Sequence, residues 1–255
     1  MIIASSRAIY GEGKYICELH GNQYPLQRKE KDMEKGEFNP KCDICNSELN
    51  LVATDENSKI QPSSIYGINK QQQEQMIMLM GVSLGIPSVA FRYQNVYGPG
   101  QSLSNPYTGI LSIFSTRILN GNNLDIYEDG LESRDFVYID DVVDATILGI
   151  EREEASGHVF NVGSGIATTV KEVAESLKKF YDSDISISIS GKYRLGDIRH
   201  NYADLKKAKT ILGFTPKYNF LKGIAEFVNW VKTQEVMEDK YDESVQELKD
   251  KGLMK

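Results

Sequence analysis

Short apolar runs with strand character alternate with helical patterns along this chain, and the alternation constrains its fold more than any other feature. Residues 1–4 and 88–91 are predicted to be buried parallel strands because they are short, apolar and bounded by small residues. A Gln- and Met-rich helix is predicted between them over residues 65–84, and Gly85 ends it. The alternation predicts an α/β fold built on a doubly wound, mostly parallel sheet.

Beyond about residue 100 the pattern becomes denser and more mixed, which predicts a smaller α+β lobe beside the sheet. Half-exposed strands are predicted at residues 124–127 and 135–138, joined across a turn. Asp140 or Asp141 is predicted to cap the helix that follows them. The remaining predicted elements are strands at 158–162 and 185–189 and helices at 108–119, 169–181 (opened by a capping box), 205–212 and 221–233.

The charge balance excludes some classes of function. The 255 residues include 29 lysines and arginines and 36 aspartates and glutamates, a formal net charge of −7. Because there is no basic excess to neutralise a phosphate backbone, we expect no nucleic-acid partner. No apolar run approaches the length of a membrane span, and no basic-then-apolar leader opens the sequence. We therefore expect a cytoplasmic protein with no membrane partner.

The strongest chemical signal is the pair Tyr66 and Lys70, four residues apart at the start of the predicted helix. Both side chains project from one helix face, and an ammonium beside a phenol stabilises the phenolate that a general base needs. Ser6 follows the first strand, at the sheet edge where open α/β sheets bind ligands. Taken alone the pair is an ordinary helix pair, but the motifs before and after it favour a catalytic interpretation.

These motifs, in this order, resemble the extended short-chain dehydrogenase/reductases, and among them the NAD-dependent nucleotide-sugar epimerases and dehydratases. The resemblance covers nearly the whole chain and is strongest to members like dTDP-L-rhamnose 4-epimerase and UDP-glucose 4-epimerase. It implies a Rossmann-like fold with a substrate lobe. The motifs that carry it are SSRAIYG at 5–11, YGINK at 66–70, FRYQNVYGPG at 91–100, RDFVYIDD at 134–141, FNVG at 160–163 and the segment 196–204.

The resemblance also implies roles for individual residues. It makes Ser6, Tyr66 and Lys70 the catalytic set, in which Ser6 holds a sugar hydroxyl and Tyr66 takes its proton. The implied contacts to NAD are Ser5, Tyr66, Lys70 and Tyr93. The implied contacts to the nucleotide-diphosphate sugar, a dTDP- or UDP-sugar, are Asn95, Gln101, Arg134 and Arg194, with the loop 101–107 on the sugar or base side.

Two positions separate the activities within this family. The 4,6-dehydratases carry an Asp-Glu pair directly after the hydroxyl residue, and this chain has Arg7 and Ala8 there. Epimerisation needs hydride transfer out and back at sugar C4 through a 4-keto sugar, with no acid pair for water elimination. We therefore expect a 4-epimerase, with a dehydratase or reductase of the same family as the alternative.

A second signal lies in residues 15–59, which form an insert between the first strand and the catalytic tyrosine. Two residues separate Cys17 from His20, and two separate Cys42 from Cys45, and this spacing is typical of a tetrahedral zinc site. Four such ligands leave no open position, so the predicted zinc is structural. The segment is polar and is not expected to build a core of its own. Incidental cysteines or a redox pair are the alternatives.

The sequence contains no G-x-x-G-x-x-G turn, which the family uses to bind the NAD pyrophosphate. We therefore expect an incomplete Rossmann-like sheet whose first strands are missing. Residues 1–100 are expected to be the C-terminal part of the NAD-binding domain. Residues 101–235 are expected to form mainly the substrate lobe, with 160–205 partly returning to the Rossmann side, and 236–255 a charged helical tail.

Two hypotheses from different classes follow. The chain is either an epimerase fragment that needs a complementing N-terminal chain, or a non-catalytic remnant that binds zinc or a sugar nucleotide. A homodimer is also compatible with the family resemblance.

Overall fold

The computed structural model describes residues 1–105 and 109–255. Its strands are β1 (Ile2–Ser6), β2 (Tyr15–Cys17), β3 (Gly21–Gln23), β4 (Asn50–Leu51), β5 (Val89–Tyr93), β6 (Asn95–Tyr97), β7 (Leu124–Ile126), β8 (Ser133–Arg134), β9 (Phe136–Tyr138), β10 (Val159–Val162), β11 (Thr168–Thr169), β12 (Ile187–Ile189) and β13 (His200–Asn201). Its α-helices are α1 (Glu30–Met33), α2 (Ile65–Leu84), α3 (Ile110–Leu119), α4 (Ile139–Glu151), α5 (Val170–Tyr181), α6 (Phe220–Val231) and α7 (Tyr241–Asp250). Short 3₁₀ helices span Arg7–Tyr10 and Glu153–Ala155, and a π-helix spans Ala208–Leu212.

A parallel sheet in the order β1-β5-β10 forms the centre of the α/β layer. Phe91 of β5 pairs with Ala4 on one side and Phe160 on the other. The rings of Phe91 and Phe160 stack 6.1 Å apart, and both side chains are fully buried. The predicted α/β class with a parallel sheet is therefore confirmed.

The long helix α2 connects β1 to β5 and packs along both strands. Its start is fixed by the Ser64 hydroxyl, which accepts a hydrogen bond from the Gly67 amide. Its end is fixed by Gly85, whose φ of 62° lies in the left-handed region that glycine adopts without strain. The predicted bounds of this helix are confirmed.

A second lobe packs α3, α5 and α6 around a separate apolar core. The predicted hairpin between residues 124–127 and 135–138 is wrong. Strand β7 pairs with β12, whereas β9 pairs with β6, and both strands are mostly buried rather than half-exposed. The strand faces that the sequence pattern predicts to be exposed to solvent are instead covered by α-helices.

The predicted cap of α4 is also wrong. Tyr138 occupies the N-cap position of this helix. Asp140 and Asp141 lie in its first turn, where their negative charges interact favourably with the helix dipole. The Asp141 carboxylate instead accepts hydrogen bonds from the backbone amides of Lys217 and Tyr218. The capping box before α5 is confirmed, since the Thr169 hydroxyl and the Glu172 carboxylate bond to each other's backbone amides.

The insert forms a three-stranded antiparallel sheet in the order β3-β2-β4. Contrary to the expectation from its polar composition, it has a small core of its own, made by Tyr15, Cys17, Cys42 and Leu49. Arg28 anchors the insert to the rest of the molecule, since its guanidinium donates to the Glu128 carboxylate and to the Asp197 carbonyl, each at 2.8 Å.

The last residues pair with the segment Tyr193–Leu195. Leu253 and Lys255 form antiparallel backbone hydrogen bonds with Tyr193 and Leu195, on either side of Arg194. Within residues 1–105 and 109–255, no helix combines the length and the apolarity that crossing a bilayer requires.

Candidate active site

A cavity of about 500 Å³ opens at the carboxyl ends of β1 and β5. Its walls include Ser6 at the end of β1, Tyr66 in the first turn of α2, and Asn95 at the start of β6. The fold thus brings together five of the predicted site residues from distant parts of the sequence. They are Ser6, Tyr66, Asn95, Gln101 and Arg194.

Close packing of α2 against the segment after β1 brings Tyr66 beside Ser6. Gly67 permits this approach, because a Cβ atom at this position would lie 2.6 Å from the Ala8 carbonyl oxygen. Ser6 is 9% exposed, and its Oγ accepts a hydrogen bond from the Ala8 amide. Tyr66 is 56% exposed, so its phenol is open to a ligand.

Lys70 lies one helical turn beyond Tyr66, on the same face of α2. Its Nζ is 5.9 Å from the centroid of the Tyr66 ring and donates a 2.9 Å hydrogen bond to the Ala4 carbonyl. Lys70 does not line the cavity. The amine is therefore tied to β1 close to the phenol, outside the cavity wall itself.

Ser5 and Tyr93 do not line the cavity either. The buried Ser5 hydroxyl donates to the Glu74 carboxylate at 2.5 Å, and the Tyr93 hydroxyl lies 2.7 Å from the Thr146 hydroxyl. Both hydroxyls thus bond to neighbouring helices, α2 and α4. The proposed NAD contacts of these two residues stay predictions.

The two predicted arginines differ in their surroundings. Arg194 lines the cavity and forms a two-pronged ion pair with Asp197, at 2.6 and 2.9 Å. Although burial raises the pKa of the Asp197 carboxyl, the Arg194 guanidinium brings it below its ordinary value overall. Arg134 lies outside the cavity wall and donates to the backbone carbonyls of Ser133, Ile198 and Arg199.

A buried ion pair holds α2 against the sheet, and the sequence analysis did not identify it. Arg92 of β5 donates to both carboxylate oxygens of Glu74 in α2, at 2.6 and 3.1 Å, and also to the Tyr10 hydroxyl at 2.8 Å. Both charged residues are less than 5% exposed. The available signal was a charged residue inside an apolar strand, which is rarely buried unless it has a partner.

Arg7 is a second cavity residue that the sequence analysis did not predict as a binding residue. It follows Ser6 directly and lines the same cavity. Burial and the nearby Arg134 lower the pKa of its guanidinium to about 9. In the sequence, Arg7 indicates only that the acidic residue of a 4,6-dehydratase is absent from this position.

The four predicted zinc ligands come together in the insert, with their ligand atoms all within 4.8 Å of one another. His20 Nδ1 lies 3.5 Å from both Cys17 Sγ and Cys42 Sγ, and the Sγ atoms of Cys17 and Cys45 are 3.7 Å apart. Tetrahedral zinc with bonds of about 2.3 Å to sulfur and about 2.0 Å to nitrogen requires S···S distances of about 3.8 Å and S···N distances of about 3.5 Å. The arrangement fits a tetrahedral metal.

The loop predicted at the sugar side of the site is only partly described. Gln101 lines the cavity, whereas residues 106–108, which include part of this loop and the predicted start of α3, lie outside the described residues. Helix α3 is described from Ile110 onward.

Comparison with known proteins assigns this arrangement to a family. Residues 46–163 match the NAD dependent epimerase/dehydratase family, a segment that includes Tyr66, Lys70 and Asn95. The chain belongs to this family. Its members are enzymes, and the resemblance seen in the motifs is therefore confirmed.

Two curated relatives of this chain are 4-epimerases by name. It is 35% identical to the dTDP-L-rhamnose 4-epimerase of Burkholderia thailandensis, over 91% of this chain and 62% of that protein. It is 33% identical to a putative UDP-glucose 4-epimerase of Methanocaldococcus jannaschii, over 79% of this chain and 64% of that protein.

A solved relative supports the same fold. The UDP-N-acetylglucosamine 4-epimerase from Methanobrevibacter ruminantium M1, solved in complex with UDP-N-acetylmuramic acid, superposes with a TM-score of 0.70 at 29% identity. The match covers 92% of this chain and 63% of that one. The chain thus spans about three fifths of the length of these relatives.

Proposed function

We propose that this chain carries the general base and the substrate pocket of a nucleotide-sugar 4-epimerase that works with NAD. The observation that carries the proposal is the shared cavity of Ser6, Tyr66 and Arg194 at the carboxyl edge of the parallel sheet. It combines a base for an alcohol, a hydroxyl to hold that alcohol, and a cation for a phosphate. The names of the relatives support a sugar-nucleotide substrate, of the dTDP- or UDP-sugar class.

In the proposed reaction Tyr66 takes the proton from the sugar 4-hydroxyl, while the Ser6 hydroxyl holds that oxygen in place. The Lys70 ammonium lies on the same face of α2, 5.9 Å from the centroid of the Tyr66 ring. The 4-keto sugar then turns in the cavity, and Tyr66 returns the proton to the new 4-hydroxyl. Arg194, Asn95 and Gln101, and by resemblance Arg134, would hold the nucleotide diphosphate during this turn.

NAD, when bound, would accept the hydride from C4 and return it to the opposite face. Tyr66 and Lys70 suit the nicotinamide end, because they lie together at the sheet edge where such ligands bind. The chain contains no glycine-rich turn for the pyrophosphate. The residues present thus fit one end of NAD, and the proposed contacts of Ser5 and Tyr93 concern that end.

An epimerase is favoured over a 4,6-dehydratase by the residues after Ser6. Arg7 and Ala8 occupy the positions of the dehydratase acid pair, and neither supplies the carboxyl group that water elimination requires. A non-catalytic sugar-nucleotide-binding or zinc-containing protein is the second candidate, favoured by the position of Lys70 outside the cavity wall. The proposed homodimer, complementing chain and cytoplasmic location stay predictions.

The insert is proposed to bind structural zinc through Cys17, His20, Cys42 and Cys45. The match of their separations to tetrahedral geometry supports it. No open coordination position would remain, so zinc would stabilise the insert and take no part in the chemistry. The link from the insert to the cavity is Arg28, which bonds the carbonyl of Asp197.

The test is turnover of both UDP- and dTDP-linked hexoses at C4 in the presence of NAD. It is run on the chain alone and on the chain co-expressed with the part of the Burkholderia relative that this chain does not cover. Interconversion of the two C4 epimers in either arm supports the proposal. Intact sugar-nucleotide binding without turnover in both arms would favour the non-catalytic candidate.

A further inference from the structure

Arg7 stands in the cavity wall between the proposed base and the phosphate side. It is the first residue of the short helix Arg7–Tyr10, and it lines the cavity together with Ser6 and Tyr66. Tyr66, Glu12, Asp197 and Arg134 are all close enough to influence its charge. Arg7 therefore belongs to the wall of this cavity, on the short helix directly after β1.

Its donors have no partner within the part of the chain that the structure describes. Every other arginine there that is not exposed has one. Arg134 donates to three carbonyls, and the rest pair with carboxylates: Arg28 with Glu128, Arg92 with Glu74, Arg117 with Asp239, and Arg199 with Asp129. Partly burying a guanidinium whose donors lack acceptors is energetically unfavourable, and a bound ligand that accepts those hydrogen bonds would remove this cost.

The local charge supports the same conclusion. Burial is the largest cause of the lowered pKa of Arg7, and repulsion by Arg134 adds to it. Of the acidic residues nearby, Asp197 already pairs with Arg194 at 2.6 Å, and burial raises the pKa of Glu12 to about 7. The cavity wall therefore has uncompensated positive charge at Arg7 in the absence of ligand.

We propose that Arg7 is a further substrate-binding residue, whose guanidinium takes an anionic oxygen group of the sugar nucleotide. A guanidinium has a planar fork of donors that matches a carboxylate or a phosphate in two-pronged geometry. The group is either the diphosphate or a carboxylate on the hexose. The inference rests on the proposed function and adds to it the residue that recognises charge beside the reacting carbon.

The test compares binding of charged and uncharged ligands by calorimetry, using the chain and its Arg7→Met variant. The ligands are uridine, UDP, UDP-glucose and UDP-glucuronic acid. Thymidine and dTDP are included in case the site prefers thymine to uracil. We expect a loss of tenfold or more in affinity for the ligand that bears the recognised group, and no change for the nucleosides. Arg152→Met is the matched control, because Arg152 is exposed and lies outside this cavity.

The pattern of losses identifies the source of the anion. Equal losses for UDP, UDP-glucose and UDP-glucuronic acid identify the diphosphate, and a loss confined to UDP-glucuronic acid identifies a hexose carboxylate. Arg7→Lys retains the charge without the fork and should lose less than Arg7→Met. This variant also serves as the test if Arg7→Met does not fold.

Two results would overturn the inference, and they are distinguishable. Affinities within twofold of the unmodified chain for all charged ligands would remove Arg7 from substrate binding while leaving the proposed function intact. Failure of the unmodified chain to bind any of these nucleotides would reject the proposed substrate class together with the role of Arg7.

Discussion

At the scale of single residues, hydrogen bonds to the backbone hold some polar side chains of the site in place and leave others open to a ligand. Lys70 bonds the Ala4 carbonyl, and Ser6 accepts a bond from the Ala8 amide, so both are held by backbone groups at the end of β1. Tyr66 is the exposed member, and it faces the ligand space. This division suits the proposed role of Tyr66, which would exchange a proton while Ser6 and Lys70 stay in place.

Tyr66→Phe should lower kcat for C4 epimerisation by about 10²- to 10⁴-fold, because it removes the group proposed to move the proton. Affinity for the sugar nucleotide should change little, since Ser6, Asn95 and Arg194 remain. Steady-state kinetics measures kcat, and calorimetry measures the affinity, using whichever preparation shows turnover: the chain alone or the co-expressed chain. Tyr24→Phe, outside the cavity, is the control, and a Tyr66→Phe variant with full kcat would contradict the assigned role.

Glu74→Gln should lower the free energy of unfolding by about 3–5 kcal/mol, because it leaves the buried Arg92 guanidinium without its counter-charge. Denaturant unfolding measures the change. The exposed pair of Lys171 and Glu175 provides the control, and Glu175→Gln should cost less than about 0.5 kcal/mol. If the two substitutions cost the same, the pair does not hold α2 on the sheet in the way described.

At the scale of elements, the insert is a small structure whose strands contribute few apolar side chains. Its core of Tyr15, Cys17, Cys42 and Leu49 includes two of the proposed metal ligands. A small domain of this kind is usually stabilised by a metal or a disulfide. The insert also carries Arg28, so its order affects the segment around Asp197.

The purified chain should contain about one zinc per molecule, and Cys42→Ser should release most of it, because the remaining three ligands leave the tetrahedron incomplete. Elemental analysis after gel filtration measures the content. His158→Gln, outside the cluster, should keep the full amount. A content below half an equivalent in the unmodified chain would reject the four-ligand site.

At the scale of the whole molecule, a buried carboxyl joins the two lobes and the insert. Glu12 is 3% exposed, accepts a hydrogen bond from the Arg199 amide, and lies 3.5 Å from the Arg28 guanidinium. Burial nevertheless raises the pKa of Glu12 to about 7, which outweighs the effect of Arg28. The folded chain therefore holds a proton here that the unfolded chain releases at lower pH.

This linkage predicts that stability falls as the pH rises from about 4.5 through 7. The contribution of Glu12 is fully present below its unfolded pKa and is lost as the pH passes its folded value, with a slope of up to about 1.4 kcal/mol per pH unit. Glu12→Gln should flatten that slope. Urea unfolding between pH 5 and 8 measures the difference between the two proteins, and parallel curves would contradict the raised pKa.

Several features followed from the sequence alone, because they depend on local spacing. The alternation of strands and helices, the bounds of α2, the capping box at Thr169 and the pairing of Tyr66 with Lys70 all reflect the periods of helix and strand. The grouping of Cys17 with His20, and of Cys42 with Cys45, likewise follows from short-range spacing. Long-range motifs then indicated the family.

Only the tertiary structure decided which polar groups face the cavity and which face a neighbour. Ser5 and Ser6 are adjacent in sequence, yet successive strand residues point to opposite faces, so one hydroxyl bonds Glu74 and the other lines the cavity. The partners of β7 and β9 and the buried pair of Arg92 and Glu74 depend on contacts between segments far apart in the chain. Spacing within a segment determines its local conformation, whereas these contacts arise only when the segments pack.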